Sequence, residues 1–276
     1  MPLSCTRRRL LHWAGAGAAS SALLTPLDGL ARTLVAQSSG ETGGLHFGPA
    51  RPFSFDTLIR HARDLAGRPY QSPYRPAPEV VEQIDYEAHG KIRFDPDKAL
   101  FGPGRRGPQS AYPATFFHLG RFFGKSVRMH ALDEGTDGRS AREILYAPDY
   151  FEMPADSVAR KLPEDSGFAG FRLQESTDRE DWRTHDWIAF LGASYFRAIG
   201  ELEQYGLSAR GIAVDVAASG PEEFPDFTEF YIAPAADAAA AVEVFALLDG
   251  PSVTGAYRFS LTRGAAVVME VEKRLF

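Results

Sequence analysis

The feature that most constrains the fold is a change of period near residue 82. Beyond it, Ile92–Phe94, Ala114–Phe123, Val127–Met129, Glu143–Tyr146, Phe168–Leu173, Ile188–Ile199, Ala209–Val216, Phe227–Ile232, Val242–Leu248, Gly255–Leu261 and Ala266–Lys273 are short runs rich in β-branched and aromatic residues. Gly, Pro or Asp turn signals separate most of them, so each reads as a strand. No helical period intervenes, which favours an all-β, antiparallel β-sandwich over a βαβ sheet. One helix precedes the strands. Ser54 is placed to cap it, Leu58, Ile59, Ala62, Leu65 and Ala66 fall at helical spacing, and Gly67 can close it. The four prolines at 69, 73, 76 and 78 bar residues 68–78 from a central strand. Residues 37–52 read as an extended entry segment, and the Ala-rich piece 234–241 as a connection, with a short helical turn as the competing reading.

The first residues form an address rather than part of the fold. Thr6-Arg-Arg-Arg-Leu-Leu11 is followed by Trp13 and a small apolar stretch from Ala14 to Leu24, with no acidic residue before Asp28. A basic start, a short apolar middle and small residues near the end describe an export signal over residues 1–36, and the paired arginines point to the twin-arginine route. Cleavage after Ala31 or after Ala36 fits equally. Without residues 1–36 the chain holds 26 basic against 35 acidic residues, and Cys5, its one cysteine, is gone. Disulfides and thiolate-bound metals are therefore excluded, and the core alone must hold the remaining 37–276 domain together. An acidic chain carries no broad phosphate-attracting field, so nucleic acid is excluded as a partner.

Several motifs fail on context. Gly102-x-Gly104-x-x-Gly107 matches a dinucleotide fingerprint in letters, but Pro103 and Pro108 break the strand–turn–helix it needs. Gly206-Leu-Ser208-Ala-Arg210 has arginine where a nucleophile elbow requires glycine. The histidines show no metal-binding spacing, and His118 and His130, lying in apolar strands, read as core residues. No metal or cofactor is expected.

Residues 191–258 stand apart. Leu191–Gly200 alternates as one strand, which would place Ala193, Tyr195 and Arg197 on one face and Ser194 and Phe196 on the other. Tyr205 and Arg210 follow a turn, Glu222 and Glu223 sit beside aromatic residues, and Tyr257 precedes Arg258 after a tight turn. Aromatic rings offer flat apolar faces to sugar C–H groups, while guanidinium forks and carboxylates hydrogen-bond neighbouring hydroxyls. Tyr195, Arg197, Tyr205, Arg210, Glu222, Glu223 and Tyr257 are accordingly the candidate saccharide-binding residues. Tyr and Arg on strands also serve as cross-strand packing residues, and spacing alone leaves both uses open. Adjacent residues on a strand face opposite ways, so Glu222 and Glu223 do not read as an acid/base pair flanking one bond.

Leu191–Arg197, Tyr205–Gly211, Glu222–Pro225, Thr254–Phe259, Gly167–Arg172, Phe116–Gly120, Ile92–Ala99 and the helix over Phe53–Ala66 together resemble the periplasmic glucan biosynthesis proteins of the G and D types, collinearly over about residues 53–276. The twin-arginine pattern favours the D type. The resemblance implies a role in making osmoregulated periplasmic glucans with a β-1,2-linked glucose backbone. It also implies a large sandwich of the galactose mutarotase-like kind, followed in full-length members by a smaller immunoglobulin-like domain. Some members look like inverting β-1,2-glucanases working with acidic residues and water. Their catalytic aspartates are expected beyond the position of Phe276, so no catalytic residue is carried over. Glu201–Gln204 and Gly220–Pro221 depart from the family pattern.

The last strand pattern runs into Leu275-Phe276, from which we expect either a truncated chain or a strand whose pairing partner lies further on, with exposed strand edges and poor solubility in the truncated case. Two readings of function follow. In one the complete protein binds and hydrolyses β-1,2-glucan with inversion. In the other it is a non-catalytic carbohydrate-binding or scaffold component that guides nascent glucan at the membrane glucan synthase.

Overall fold

A computed structural model describes residues 44–276 apart from 105–106, 137 and 207. The signal expected over residues 1–36 lies outside the described residues. In chain order the strands are β1 (His46–Phe47), β2 (Arg51–Pro52), β3 (Arg93–Phe94), β4 (Ala114–Phe117) and β5 (Arg128–Gly135). Then come β6 (Gly138–Leu145), β7 (Phe151–Glu152), β8 (Gly170–Gln174), β9 (Asp186–Leu191) and β10 (Tyr195–Ala198). The last are β11 (Ala209–Arg210), β12 (Asp226–Ile232), β13 (Val242–Asp249), β14 (Thr254–Arg263) and β15 (Val267–Leu275). An eight-stranded sheet runs β1-β6-β5-β12-β13-β14-β15, with β2 also on β6, and a five-stranded sheet runs β11-β10-β9-β8-β4. The ladders are antiparallel except one: β12 lies parallel to β5. The expectation of an all-β sandwich holds, with this single parallel seam as the correction to a purely antiparallel one.

Alternation explains how the sheets meet. Phe171 and Phe190 on β8 and β9 stack at 5.1 Å, and both rings meet Phe230 of β12 edge-on. Phe190 and Phe196 also meet Phe259 of β14, at 5.0 and 5.4 Å. Offset and edge-on pairs of this kind each add about 1 kcal/mol to the area they bury. Along β12 the alternation slips, because a bulge between Phe227 and Glu229 leaves Thr228 as an extra residue. That slip lets Phe227, Phe230 and Ile232 all enter the core, while Glu229 and Tyr231 face the other way.

The helix α1 (Phe55–Ala66) is formed as its spacing predicts. The Ser54 side chain accepts the Thr57 N–H at 3.1 Å, and Gly67 closes the last turn. Leu58 and Ala62 pack on the outer face of the large sheet, against Leu132, Ala141, Phe245, Leu247 and Ala256. Strand β13 is therefore covered on both faces: Val244, Ala246 and Leu248 face the sandwich, Phe245 and Leu247 the helix. This double burial is why Val242–Leu248 reads as a nearly continuous apolar run rather than an alternating one. The parallel seam carries its own clip. Arg128 of β5 donates to Glu229 of β12 at 3.1 Å and to Glu143 of β6 at 3.1 Å, bridging the strands on either side of it.

Three expected strands are shorter than their apolar runs, and of Ala209–Val216 only Ala209–Arg210 forms a strand. Ala114–Phe123 ends as a strand at Phe117, because Gly120 and Gly124 bracket a turn that carries Phe122 and Phe123 outward. The run Ile188–Ile199 is two strands. Leu191 pairs with Tyr195, and Gly192–Ser194 form the turn between them. Ala193 thus lies in that turn, and not on one continuous strand with Tyr195 and Arg197 as alternation had placed it. His118 and His130 are buried and hydrogen-bonded, His118 to the Leu119 carbonyl and the Tyr146 hydroxyl, His130 to the Phe230 carbonyl.

Candidate functional site

The outer face of the five-stranded sheet carries the candidate site. Its registers align Phe117, Gly170, Leu191, Tyr195 and Arg210 as one row across β4, β8, β9, β10 and β11. A neighbouring row contains Ala189 and Arg197. The inward-facing phenylalanines alternate with these positions, so the same strands that fill the core present small and polar residues outward. Gly170 must be glycine, since a Cβ there would sit 2.1 Å from the Phe190 carbonyl oxygen. With Ala169, Ala189 and Gly192 it makes a low floor, over which a cleft of about 640 Å³ opens.

The walls are aromatic and cationic. Phe117, Phe122, Phe123 and Tyr195 line the cleft together with Arg75, Arg121, Lys125, Arg197 and Arg210. Phe122 is 69% exposed, an unusual state for a large apolar ring. The Tyr195 hydroxyl meets the Ser208 hydroxyl at 2.8 Å. The Arg197 guanidinium lies 4.7 Å from the Tyr205 ring centre, and that of Arg210 lies 4.5 Å from Phe224. Stacking holds each guanidinium by its face and leaves edge N–H groups to donate.

The turn at 192–194 is held by force from outside itself. Ala193 and Ser194 both adopt left-handed backbone conformations, φ 54° and 49°, which cost a non-glycine residue about 1 kcal/mol or more each. Asp226 accepts the Ala193 N–H at 2.9 Å, and Arg210 donates to the Ala193 carbonyl at 2.6 Å. Asp226 is itself buried, and Lys125 pairs with it at 2.6 Å. The strained turn, the buried carboxylate and two cleft cations form one linked unit that sets the cleft's shape.

The seven residues expected from sequence divide. Tyr195, Arg197 and Arg210 come together in the cleft, and Tyr205 backs Arg197 from the edge. Tyr257 does not line it. Its ring is 1% exposed among Phe227 and Phe259, its hydroxyl donates to the Gly211 carbonyl at 3.0 Å, and burial pushes its pKa up to about 12. Its hydroxyl supports the loop behind Arg210. Glu222 and Glu223 also lie off the cleft lining. Glu222 accepts the Ala217 N–H at 3.3 Å, and Glu223 accepts the Ser252 N–H at 2.9 Å, so both stabilise loops.

Sequence reasoning passed over Phe122, Phe123, Lys125 and Asp226. The glycines bracketing Arg121-Phe-Phe-Gly-Lys125 were the available signal, since a phenylalanine pair in a turn cannot be buried as a strand pair is. For Asp226 no local signal exists, because its partners come from residues 125 and 193.

The model of the family described as "Periplasmic glucan biosynthesis protein, MdoG" matches residues 53–276. Glucans biosynthesis protein D 2 of Ralstonia nicotianae is 53% identical over 279 residues, covering 98% of this chain and 48% of its own. Glucans biosynthesis protein D of Xylella fastidiosa is 40% identical over 230 residues, covering 83% of this chain and 41% of its own. The corresponding protein of Xanthomonas campestris pv. campestris (strain B100) is 41% identical over 230 residues, with the same coverage. The chain thus spans about half the length of the curated relatives it matches. The match of the family model over residues 53–276, together with relatives 40% to 53% identical over most of the chain, places this chain in the periplasmic glucan biosynthesis protein family.

Proposed function

We propose that the cleft holds a segment of glucan chain, and that the complete protein works in the periplasm on a β-1,2-linked glucan, hydrolysing it with inversion. The observation that carries the binding step is the in-register row Phe117–Leu191–Tyr195–Arg210 with exposed Phe122 and Phe123 beside it. Such rings accept the C–H faces of glucose units, and the guanidinium edges of Arg197 and Arg210 donate to hydroxyl oxygens. The floor of small residues lets a chain approach the backbone closely. Export through a twin-arginine signal and location in the periplasm belong to the same proposal, supported by the residue pattern before position 37 and by the family's description.

Inversion needs one carboxylic acid to protonate the leaving oxygen and a second carboxylate to activate water, about 6.5–9.5 Å apart. Asp226, the carboxylate among the residues lining the cleft, is held by Lys125 and the Ala193 N–H, so it serves to shape the site. The described residues therefore supply the binding half of the reaction. The same observation favours the second reading, a non-catalytic component that guides nascent glucan beside the membrane glucan synthase.

Calorimetric titration with linear β-1,2-gluco-oligosaccharides tests the binding step. We expect saturable binding, weakened about tenfold by Tyr195→Ala, as loss of one stacking ring implies. Undiminished affinity in that variant, at an unchanged thermal midpoint, would remove the cleft from the proposal. Release of short sugars by the 276-residue chain would exclude the non-catalytic reading.

A further inference from the structure

The cleft holds more positive charge than a neutral polysaccharide requires. Hydroxyl groups are satisfied as well by amides, hydroxyls or carboxylates as by cations. Here Arg75, Arg121, Lys125, Arg197 and Arg210 share one concavity on a chain whose net charge is −6. Composition does not explain that concentration, and like charges around an apolar floor repel one another. Internal pairing accounts for part of it: Lys125 is matched by Asp226, and Arg121 by Glu82 at 2.9 Å on the rim. Arg197 has no carboxylate partner among the described residues, and its Nε is buried without a hydrogen-bond acceptor. Arg210 spends one N–H on the Ala193 carbonyl and meets no carboxylate there. Arg75 stands exposed at the margin.

We infer that the cleft selects saccharide chains bearing anionic substituents, a phosphoryl or carboxylate group, which Arg75, Arg121, Arg197 and Arg210 recognise beside the sugar-stacking rings. This rests on the glucan-binding reading above and adds the class of chain that is preferred. Guanidinium edges match the paired oxygens of a carboxylate or phosphoryl group, and charge-assisted bonds are about twice as strong as neutral ones. The stacked positions of Arg197 on Tyr205 and Arg210 on Phe224 fix the direction of those edges in advance.

Three probes of one chain length separate the cases: a neutral β-1,2-gluco-oligosaccharide, the same chain carrying a C6 phosphate monoester, and the same chain oxidised to a C6 carboxylate. Titration of the full chain at low and high salt is the measurement. We expect an anionic probe to bind about tenfold tighter than the neutral one at low salt, and the preference to shrink as salt rises. Tighter binding of both anionic probes assigns the site to anions in general, and of the phosphate ester alone to phosphoryl groups. The double variant Arg75→Gln, Arg121→Gln changes exposed positions away from the strained turn. It should lose part of the preference, read as the ratio of anionic to neutral affinity within the same variant. Equal binding of all three probes would overturn the inference and leave the glucan reading standing. A preference untouched by salt would also overturn it. Binding of none of the probes would remove both.

Discussion

Strands β9 and β10 carry two chemistries on two faces. Inward, Phe190 and Phe196 meet Phe171, Phe230 and Phe259, with Phe190 wholly buried. Outward, one residue along, Ala189, Leu191, Tyr195 and Arg197 line the cleft. The backbone is common to both, so rigidity established inside is transmitted outside at no further backbone entropy cost. The cleft can therefore be built from long, mobile side chains such as arginine and still present a defined shape. The comparison also separates what each face should lose on substitution: stability inside, affinity outside.

The largest effect expected is from Phe190→Ala, which should cost about 3–5 kcal/mol in chemical denaturation, since four aromatic neighbours lose their partner. A loss below about 1 kcal/mol would break the assignment of that face as the rigid one. The closed side should also resist charge. Burial lowers the His118 pKa to about 4, from 6.5. The unfolded chain then takes up a proton between those values that the folded chain refuses. Stability is complete above about pH 6.5 and declines by about 3 kcal/mol as pH falls toward 4. Denaturation midpoints near both limits, compared between the parent and His118→Asn, check this: the variant should be less acid-sensitive.

At the junction of the two faces, Asp226→Asn removes a buried charge from Lys125 and loosens the hold on the Ala193 N–H. We expect a loss of about 2 kcal/mol together with weaker glucan binding. A variant that loses stability while keeping affinity would show that the strained turn does not shape the cleft. The smallest expected effect is that of Tyr257→Phe, about 1 kcal/mol from the lost bond to the Gly211 carbonyl, with glucan affinity nearly unchanged. An affinity loss as large as that of Tyr195→Ala would return Tyr257 to the binding surface.

Where local chemistry decided the structure, it was legible. The helix over Phe55–Ala66 has its cap, its spacing and its closing residue within one stretch. The meander β12–β15 follows from apolar runs separated by turns. The hairpin at 192–194 was not legible, because Ala193 and Ser194 have no local preference for left-handed backbone and are held there by Asp226 and Arg210. The site divides in the same way. Tyr195 and Arg197 share a strand face that alternation alone can assign. The burial of Tyr257 was readable from its parity with Phe259 and Leu261, had alternation been weighed above the adjacent Arg258. Phe122 and Phe123 hid inside an apolar run whose end only the bracketing glycines marked.

The parallel seam between β5 and β12 bears on how the molecule assembles. These strands are neighbours in space, yet the whole five-stranded sheet except β4 is threaded between them in the chain. The meander β12–β15 can zip up from adjacent hairpins, whereas the seam must first close a very long loop. We therefore see the meander as the early nucleus and seam closure as the late event. Until β12 and β14 are in place, Phe171 and Phe190 lack the rings of Phe230 and Phe259 that they meet across the sandwich. A chain emerging from the ribosome would thus carry its cleft-bearing strands without that backing until translation had passed residue 259.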